Sequence, residues 1–191
     1  MKTAWLIRHA ATAGNLAKRY IGRTDEPLCA AGRAQAGARA AAAPDVDLLF
    51  CSPLRRCRQT AALLFPAQAQ HIVDGLRECD FGLFENRTAV EMENDPAYCA
   101  WVAGNCAGAI PGGESVAGFQ ARCCAAFVAT LRLVPEGNAA AFVIHGGCIM
   151  AILARYAVPR RPFYSYRVEN CGLIACRCDG LRLTVAEGAP C

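Results

Sequence analysis

The sequence predicts an α/β fold, a three-layer αβα sandwich with a mostly parallel central sheet. Short apolar runs at residues 4–7, 47–51 and 139–144 each stop abruptly at polar or small residues, as buried strands do. Between them lie stretches whose apolar residues recur at helical spacing, and strands alternating with helices pack as a parallel sheet covered on both faces. The chain has 191 residues, 54% hydrophobic and 19% charged. That is a globular composition, sized for a single domain over 1–191 that buries a sizeable core.

Ala4-Trp5-Leu6-Ile7 reads as a buried strand that delivers Arg8 and His9 to its carboxyl end. The alanine-rich stretch 30–43, ended by Pro44, reads as a helix. The second strand, 47–51, ends in Ser52-Pro53, a pair that suits an N-cap followed by proline at the first helical position. Leu54, Cys57, Ala61 and Leu64 then recur at helical spacing. Ser115 caps a helix carrying Val116, Phe119, Cys123, Phe127 and Leu131 on one face. The third strand, 139–144, ends at His145-Gly146-Gly147 before a helical run over 148–156. Two β-like runs, 173–178 and 181–185, are joined by Asp179-Gly180 as a hairpin. No repeat, linker or low-complexity tract interrupts the chain beyond its alanine bias; a small cap-like excursion falls at about 86–110.

Composition excludes several classes of function. The net charge of +4 comes from 20 Lys+Arg against 16 Asp+Glu, without a lysine-rich block. This argues against a nucleic-acid partner, and a small anionic substrate accounts for it equally well. The 13 cysteines contain no C-x-x-C; Cys123-Cys124 and Cys176-x-Cys178 come closest, and neither is followed by a histidine pair at zinc spacing. Most sit in apolar runs such as Phe50-Cys51 and Gly147-Cys148-Ile149, which reads as small hydrophobes in a reducing compartment, with no metal site. The apolar stretch after Lys2 is cut by Arg8-His9, short of the roughly 7–15 residues of a secretory signal. Residues 139–154 are broken by His145-Gly146-Gly147 and are too short to span a bilayer. The expectation is a cytoplasmic protein with no membrane partner.

Two of the three histidines, His9 and His145, end apolar strands, whereas His71 lies at the start of its run. Ligands of open α/β sheets bind at the carboxyl ends of strands, so Arg8, His9 and His145 are expected to share one site. Arg8-His9-Ala10-Ala11-Thr12-Ala13-Gly14-Asn15 resembles the R-H-G-x-T-x-x-N signature of the histidine phosphatase superfamily, the phosphoglycerate mutase-like proteins. The likeness continues in order. Gly22-Arg23-Thr24-Asp25-Glu26-Pro27-Leu28, with Gly32 and Gln35-Ala36, looks like the segment after that signature. Ser52-Pro53-Leu54-Arg55-Arg56-Cys57-Arg58-Gln59-Thr60-Ala61 is similar to the second arginine motif and aligns its functional arginine with Arg56. Leu76-Arg77-Glu78 followed by Phe81-Gly82 resembles the acid-bearing segment, and Pro111-Gly112-Gly113-Glu114-Ser115 and Val143-Ile144-His145-Gly146-Gly147 complete the set. The resemblance implies a phosphoglycerate mutase-like sandwich and a phosphomonoesterase that works through a phosphohistidine without a cofactor. It places His9, Glu78, His145, Arg8 and Arg56 in catalysis and Asn15, Ile21, Gly22 and Gly146 on a small phosphorylated substrate.

The chemistry supports this independently. A phosphoryl dianion needs its equatorial oxygens neutralised while a nucleophile attacks in line, and Arg8 and Arg56 give planar charge-assisted donors. His145 is expected to add a third contact as imidazolium. His9 would be neutral at the attacking nitrogen, with its other ring nitrogen held by a backbone carbonyl. Glu78 would protonate the leaving alcohol and then deprotonate the hydrolytic water. Asn15 and the Gly146 N–H would add neutral donors. Arg55 and Arg58 read as solvated or ion-paired, Glu85 as structural, and Cys51, Cys79 and Cys148 as packed. Ser115 misses the G-x-S-x-G elbow for want of the last glycine and a preceding strand. Ala10 departs from the glycine usual in the signature, and its methyl would crowd the turn if the backbone there needed a positive φ.

Phe84, Tyr98 and Trp101 are expected to cover an organic leaving group. The run Tyr20-Ile21-Gly22-Arg23-Thr24-Asp25-Glu26-Pro27-Leu28 most resembles the α-ribazole phosphatase branch, which dephosphorylates a cobalamin-pathway nucleotide. A phosphoglycerate mutase would use the same histidine but return its phosphate to a second substrate; the resemblance implies that mutases are usually longer beside the acid. A non-catalytic phosphate-binding module is the third reading, motivated by Ala10 and opposed by the five charged or nucleophilic residues that remain. An exposed apolar C-terminal hairpin could pair between chains as a homodimer.

Overall fold

A computed structural model of the protein describes residues 1–186. In chain order the elements are β1 (Lys2–Arg8), α1 (Ala13–Leu16), α2 (Ala30–Ala40), β2 (Leu48–Cys51), α3 (Arg55–Leu64), β3 (Gln70–Ile72), α4 (Pro96–Ala103), α5 (Val116–Leu133), β4 (Ala139–Ile144), α6 (Gly146–Tyr156), β5 (Leu173–Asp179) and β6 (Arg182–Val185), with single 3₁₀ turns between some of them. The six strands form one sheet in the order β3-β2-β4-β1-β5-β6. β3, β2, β4 and β1 run parallel, while β5 returns antiparallel beside β1 and forms a hairpin with β6.

Period-two alternation along these strands divides the core between two faces. In β4, Ala140, Phe142 and Ile144 face one cluster, while Ala141 and Val143 face the other. The first cluster is closed by Phe119, Cys123, Phe127 and Leu131 of α5 and by Cys148, Ile149 and Ile152 of α6; the second by Ala36 of α2 and by Cys57, Ala61 and Leu64 of α3. The expected three-layer sandwich is therefore present, with a mixed sheet. Helix α5 is long and apolar enough by composition to cross a membrane, yet its periodic apolar face is the one that packs on the sheet. Nine of the cysteines are buried as small apolar residues; Cys191 lies outside the described residues.

Three local expectations shift. The Ala30 helix ends at Ala40, because Ala42 and Ala43 close tight turns onto Arg39 and Ala40 ahead of Pro44, which disfavours helix before it. Helix α3 starts at Arg55 with Leu54 as an N-cap that makes no side-chain cap bond; Ser52, the expected cap, is committed elsewhere. The hairpin turns at Gly180-Leu181, with Asp179 paired to Arg182 and Gly180 at φ +57°.

The 86–110 stretch contains a 3₁₀ turn at Val90–Met92 and helix α4, capped by Asp95, which accepts from the N–H groups of Ala97 and Tyr98. Phe84, Tyr98 and Trp101 do not stand open over the site as expected. All three are buried in the first cluster, where Tyr20 packs edge-on against Tyr98 and Trp101. Their large apolar area favours burial over a wet cleft wall.

Two glycines of α2 meet opposite surroundings. A Cβ on Gly32 would lie 1.9 Å from the Ala11 carbonyl oxygen, whereas one on Gly37 would meet nothing within 4 Å. Gly32→Ala is expected to destabilise by about 2–3 kcal/mol through a backbone clash beside the His9 loop. Gly37→Ala should stabilise by about 0.5–1 kcal/mol through helix propensity. Urea unfolding of the two variants checks this contrast.

Candidate active site

Strand pairing assembles the site before any side chain is considered. In the parallel register of β1 and β4, Arg8 lies beside Ile144, and the His9 N–H donates to the Ile144 carbonyl at 3.0 Å. The residues that follow each strand, His9 and His145, are thereby neighbours, with ring centroids 5.2 Å apart. Ser52 arrives after β2 on the other side of β4, its N–H on Val143. Arg8, His9, Ser52 and His145 thus all stand at the carboxyl edge of the sheet.

His9 is 4% exposed. Its Nδ1 lies 2.8 Å from the Ala10 carbonyl. A carbonyl only accepts, so Nδ1 carries the proton and Nε2 keeps its lone pair. Burial first, then the charge of Arg56, holds the imidazole well below its ordinary pKa and therefore neutral. The loop is pinned by Thr60 on α3, whose Oγ1 accepts the Ala10 N–H at 3.0 Å and donates to the Arg56 carbonyl at 2.7 Å. Ala10 is absent from the positive-φ residues, and its methyl is buried in the second cluster. The backbone accommodates alanine here without strain.

Arg56 is wholly buried. Nη1 donates to Thr24 O at 2.7 Å, Nη2 to Gly22 O at 2.8 Å and Ile21 O at 3.4 Å, and Nε to His145 Nδ1 at 3.3 Å. A guanidinium can only donate, so His145 Nδ1 is an acceptor, and its proton lies on Nε2, directed at Ser52 Oγ 2.8 Å away. His145 is therefore neutral, which corrects the imidazolium expectation; burial, Arg56, His9 and Arg8 all disfavour a second positive charge there. Arg8 donates from Nη1 to Val168 O at 2.7 Å, while its buried Nε has no protein partner. Gly146 lies directly against it: a Cβ there would come within 3.5 Å of that Nε.

Glu78 is partly buried. Its Oε2 accepts the Gly147 N–H at 3.0 Å and its Oε1 the Cys79 N–H at 3.1 Å. Burial raises its pKa above the ordinary glutamate value, against the pull of these two N–H groups and of Arg56 and Arg8. A Cβ on Gly147 would lie 2.3 Å from Glu78 Oε1, so any side chain there would push the carboxylate aside. Cys148 and Cys123, with sulfurs 3.4 Å apart, pack beneath this segment against the Arg77 carbonyl.

The remaining sequence candidates fall as follows. Asn15 and Thr12 form a capping box at α1: Thr12 Oγ1 accepts the Asn15 N–H, and Asn15 Oδ1 accepts the Thr12 N–H, both at 3.2 Å. Ile21 and Gly22 present their carbonyls to Arg56, and the Gly22 N–H is bound by Glu85 Oε1 at 2.8 Å. Glu85 also accepts from Thr24 and Phe81, the structural role expected of it. Arg55 and Arg58 are exposed. Sequence reasoning missed Ser52 as a partner of His145, because its place before Pro53 made an N-cap the natural reading. It also missed Thr60, although one helical turn after Arg56 is the spacing that puts both on one face. Asn170, described below, carries no sequence signal. Among the described residues no group of His, Cys, Asp and Glu is arranged to hold a metal ion.

The profile of the histidine phosphatase superfamily (branch 1) matches residues 4–187. The chain is 32% identical over 184 residues to a protein of Enterobacter sp. (strain 638) named probable phosphoglycerate mutase GpmB, spanning 91% of this chain and 83% of the relative. Its fold is similar to the alpha-ribazole phosphatase of Shigella flexneri, with a TM-score of 0.84, 28% identity, and 96% and 94% of the two chains covered. It is also similar to a phosphoglycerate mutase of Thermus thermophilus, with a TM-score of 0.71, 31% identity, and 95% of each chain covered.

Neutral buried histidines set the sign of the pH dependence of stability. His9 and His145 are neutral in the fold and take up protons in the unfolded chain near pH 6.5. Their contribution is present in full above about pH 6.5 and is lost progressively below it. Glu78 acts in the opposite sense: its raised pKa favours the fold at low pH and loses that contribution as pH rises. Urea unfolding is expected to show stability falling between pH 7.5 and 5.5, with a smaller fall in His145→Gln.

Proposed function

The chain belongs to the histidine phosphatase superfamily, branch 1, and on that premise we propose that it is a phosphomonoesterase working through a phosphohistidine on His9. The observation that carries the proposal is the state of His9: its Nδ1 proton is fixed on the Ala10 carbonyl, so the nucleophilic lone pair stays on Nε2.

In the first step Nε2 attacks phosphorus as the P–O bond to the leaving group breaks, and the Glu78 carboxyl gives its proton to the departing oxygen. In the second, Glu78 takes a proton from water, whose oxygen attacks the phosphohistidine; the N–P bond breaks, orthophosphate leaves and Glu78 is again protonated. Arg8, through its unpartnered Nε, and the charge of Arg56 neutralise the equatorial oxygens, joined by Asn15 and the Gly146 N–H; His145, its two ring nitrogens taken by Arg56 and Ser52, acts by holding Arg56 in place. Ile21 and Gly22 act through their carbonyls by fixing Arg56 at the phosphoryl site. Because Ala10 leaves the loop unstrained, the motive for a non-catalytic binding module falls away.

The substrate we propose is a small phosphorylated metabolite, with α-ribazole-5′-phosphate of the cobalamin pathway as the first candidate. The 20–28 run and the likeness to the Shigella flexneri enzyme support it. A second reading, phosphoglycerate mutase, is favoured by the Enterobacter relative and the Thermus thermophilus structure; it shares the first step and differs in the acceptor of the phosphoryl group.

Hydrolysis of p-nitrophenyl phosphate is expected in EDTA, and His9→Ala should lower kcat by roughly 10³-fold or more. A wild type that is folded yet inert on a broad phosphoester panel would overturn the phosphatase reading. Interconversion of phosphoglycerates faster than their hydrolysis, in a coupled assay, would establish the mutase.

Glu78→Gln separates the acid from the nucleophile. It should slow alkyl phosphates by about 10²–10⁴-fold and p-nitrophenyl phosphate much less, since the better leaving group needs less protonation. With alkyl substrates kcat should fall as pH rises through the raised Glu78 pKa, and this limb should vanish in the variant. Equal losses on both substrates would remove Glu78 from the role of acid.

A further inference from the structure

Asn170 lies outside the residues assigned above, yet its side-chain amide contacts two of them. Nδ2 donates to the His9 carbonyl at 3.1 Å and to Asn15 Oδ1 at 3.0 Å. Obligate donors and acceptors settle both amide orientations. The Thr12 N–H can only donate, so the Asn15 atom it meets at 3.2 Å is the oxygen. The His9 carbonyl can only accept, so the Asn170 atom facing it is the nitrogen. Asn15 Oδ1 thus receives two N–H groups, and its NH₂ is the end left to meet a ligand.

We infer that Asn170 is a positioning residue for phosphoryl binding: it fixes the orientation of the Asn15 amide so that its NH₂, and not its oxygen, serves the anion. The inference rests on the phosphomonoesterase reading, which places the phosphoryl group beside Asn15. An amide turned the other way would present an acceptor to a dianion and repel it. The same Asn170 nitrogen steadies the His9 carbonyl, which also accepts the Cys171 N–H at 3.1 Å. Asn170 is itself anchored: its carbonyl accepts Gln35 Nε2 at 2.7 Å, and Gln35 Oε1 accepts the Ala11 N–H at 3.2 Å. The relay Ala11–Gln35–Asn170–Asn15 therefore closes a ring around the nucleophile loop.

The test compares the wild type, Asn170→Leu, Asn15→Ala and the double variant, each checked for folding. Leucine has the same branching and heavy-atom count as asparagine, lacks the donors and adds no charge. The readouts are the Kd of inorganic phosphate, and kcat and KM on p-nitrophenyl phosphate. Asn170→Leu should weaken phosphate binding roughly 3–10-fold and raise KM more than it lowers kcat. In the Asn15→Ala background the same change should alter the phosphate Kd less than about twofold, because the group it orients is gone. Wild-type phosphate affinity in Asn170→Leu, or an equal loss in both backgrounds, would overturn the inference and leave a purely structural residue. If Asn170→Leu does not fold, side-chain amide NMR of the wild type decides. Phosphate should shift the Asn15 NH₂ resonances and leave the Asn170 pair in place; the reverse overturns the proposal. A wild type that neither binds phosphate nor turns over the ester overturns the phosphomonoesterase reading itself, whereas an active wild type with an unresponsive Asn170 overturns only the positioning role.

Discussion

Everything at this site depends on the parallel pairing of β1 with β4. Opposite Ile144 stands Arg8, and the next N–H, that of His9, takes the Ile144 carbonyl. A slip of one residue would exchange the two faces of β1. Leu6 would leave the first cluster, Ile7 would leave the second, and His9 would no longer end level with His145. The burial of both faces therefore fixes the register, and the register fixes the distance between the two imidazoles. Apolar packing in the sheet sets a polar geometry at its edge.

A fully buried guanidinium is the second constraint. Arg56 would be costly in the core without partners, since an unpaired buried charge destabilises strongly. Three backbone carbonyls and one imidazole nitrogen supply them. The carbonyls come from residues 21–24, a loop held in turn by Glu85, and Gly22 packs so tightly on Cys79 that a Cβ would lie 1.8 Å from its carbonyl oxygen. The positive charge then governs the titrating groups around it. It disfavours protonation of His9 and His145, and with Arg8 it restrains the rise that burial imposes on Glu78. One imidazole is kept neutral and one carboxyl is moved towards the protonated form by the same low-dielectric surroundings, the pairing that nucleophilic and acid chemistry in one site would require.

The Glu78 carboxylate is tied to helix α6 by one backbone donor. Gly147 in the first turn of α6 gives its N–H to Glu78, and His145 immediately precedes that helix. Helix α6 therefore positions His145 and the Glu78 carboxylate at once. The apolar thiols of Cys123 and Cys148 fill the space behind this contact, where a larger side chain would displace the Glu78 segment.

Much of this was legible in the sequence. Apolar runs ending at Arg8-His9, Ser52 and His145 located the strands and the sheet edge that bears the site, because burial on both faces demands such runs and helices demand their own spacing. The ordered motifs named His9, Arg56, Glu78 and His145. The tautomer of His9 was legible as well, since any nucleophilic imidazole needs its second nitrogen occupied. What the chain order did not determine was how these groups meet. Phe84, Tyr98 and Trp101 looked like a cleft wall and became core, because a helix with aromatic residues around it buries whichever face finds apolar neighbours. His145 looked like a cation and is neutral, because its charge state depends on Arg56, 89 residues away and in contact only in the folded chain. Ser52 looked like a helix cap and instead holds His145. Asn170 reaches His9 only because β5 returns antiparallel to β1, bringing the residues before Leu173 to the edge where β1 ends. Local pattern fixes which residues are buried and where strands stop; charge state and hydrogen-bond partner depend on neighbours remote in the chain, and those the tertiary structure alone decides.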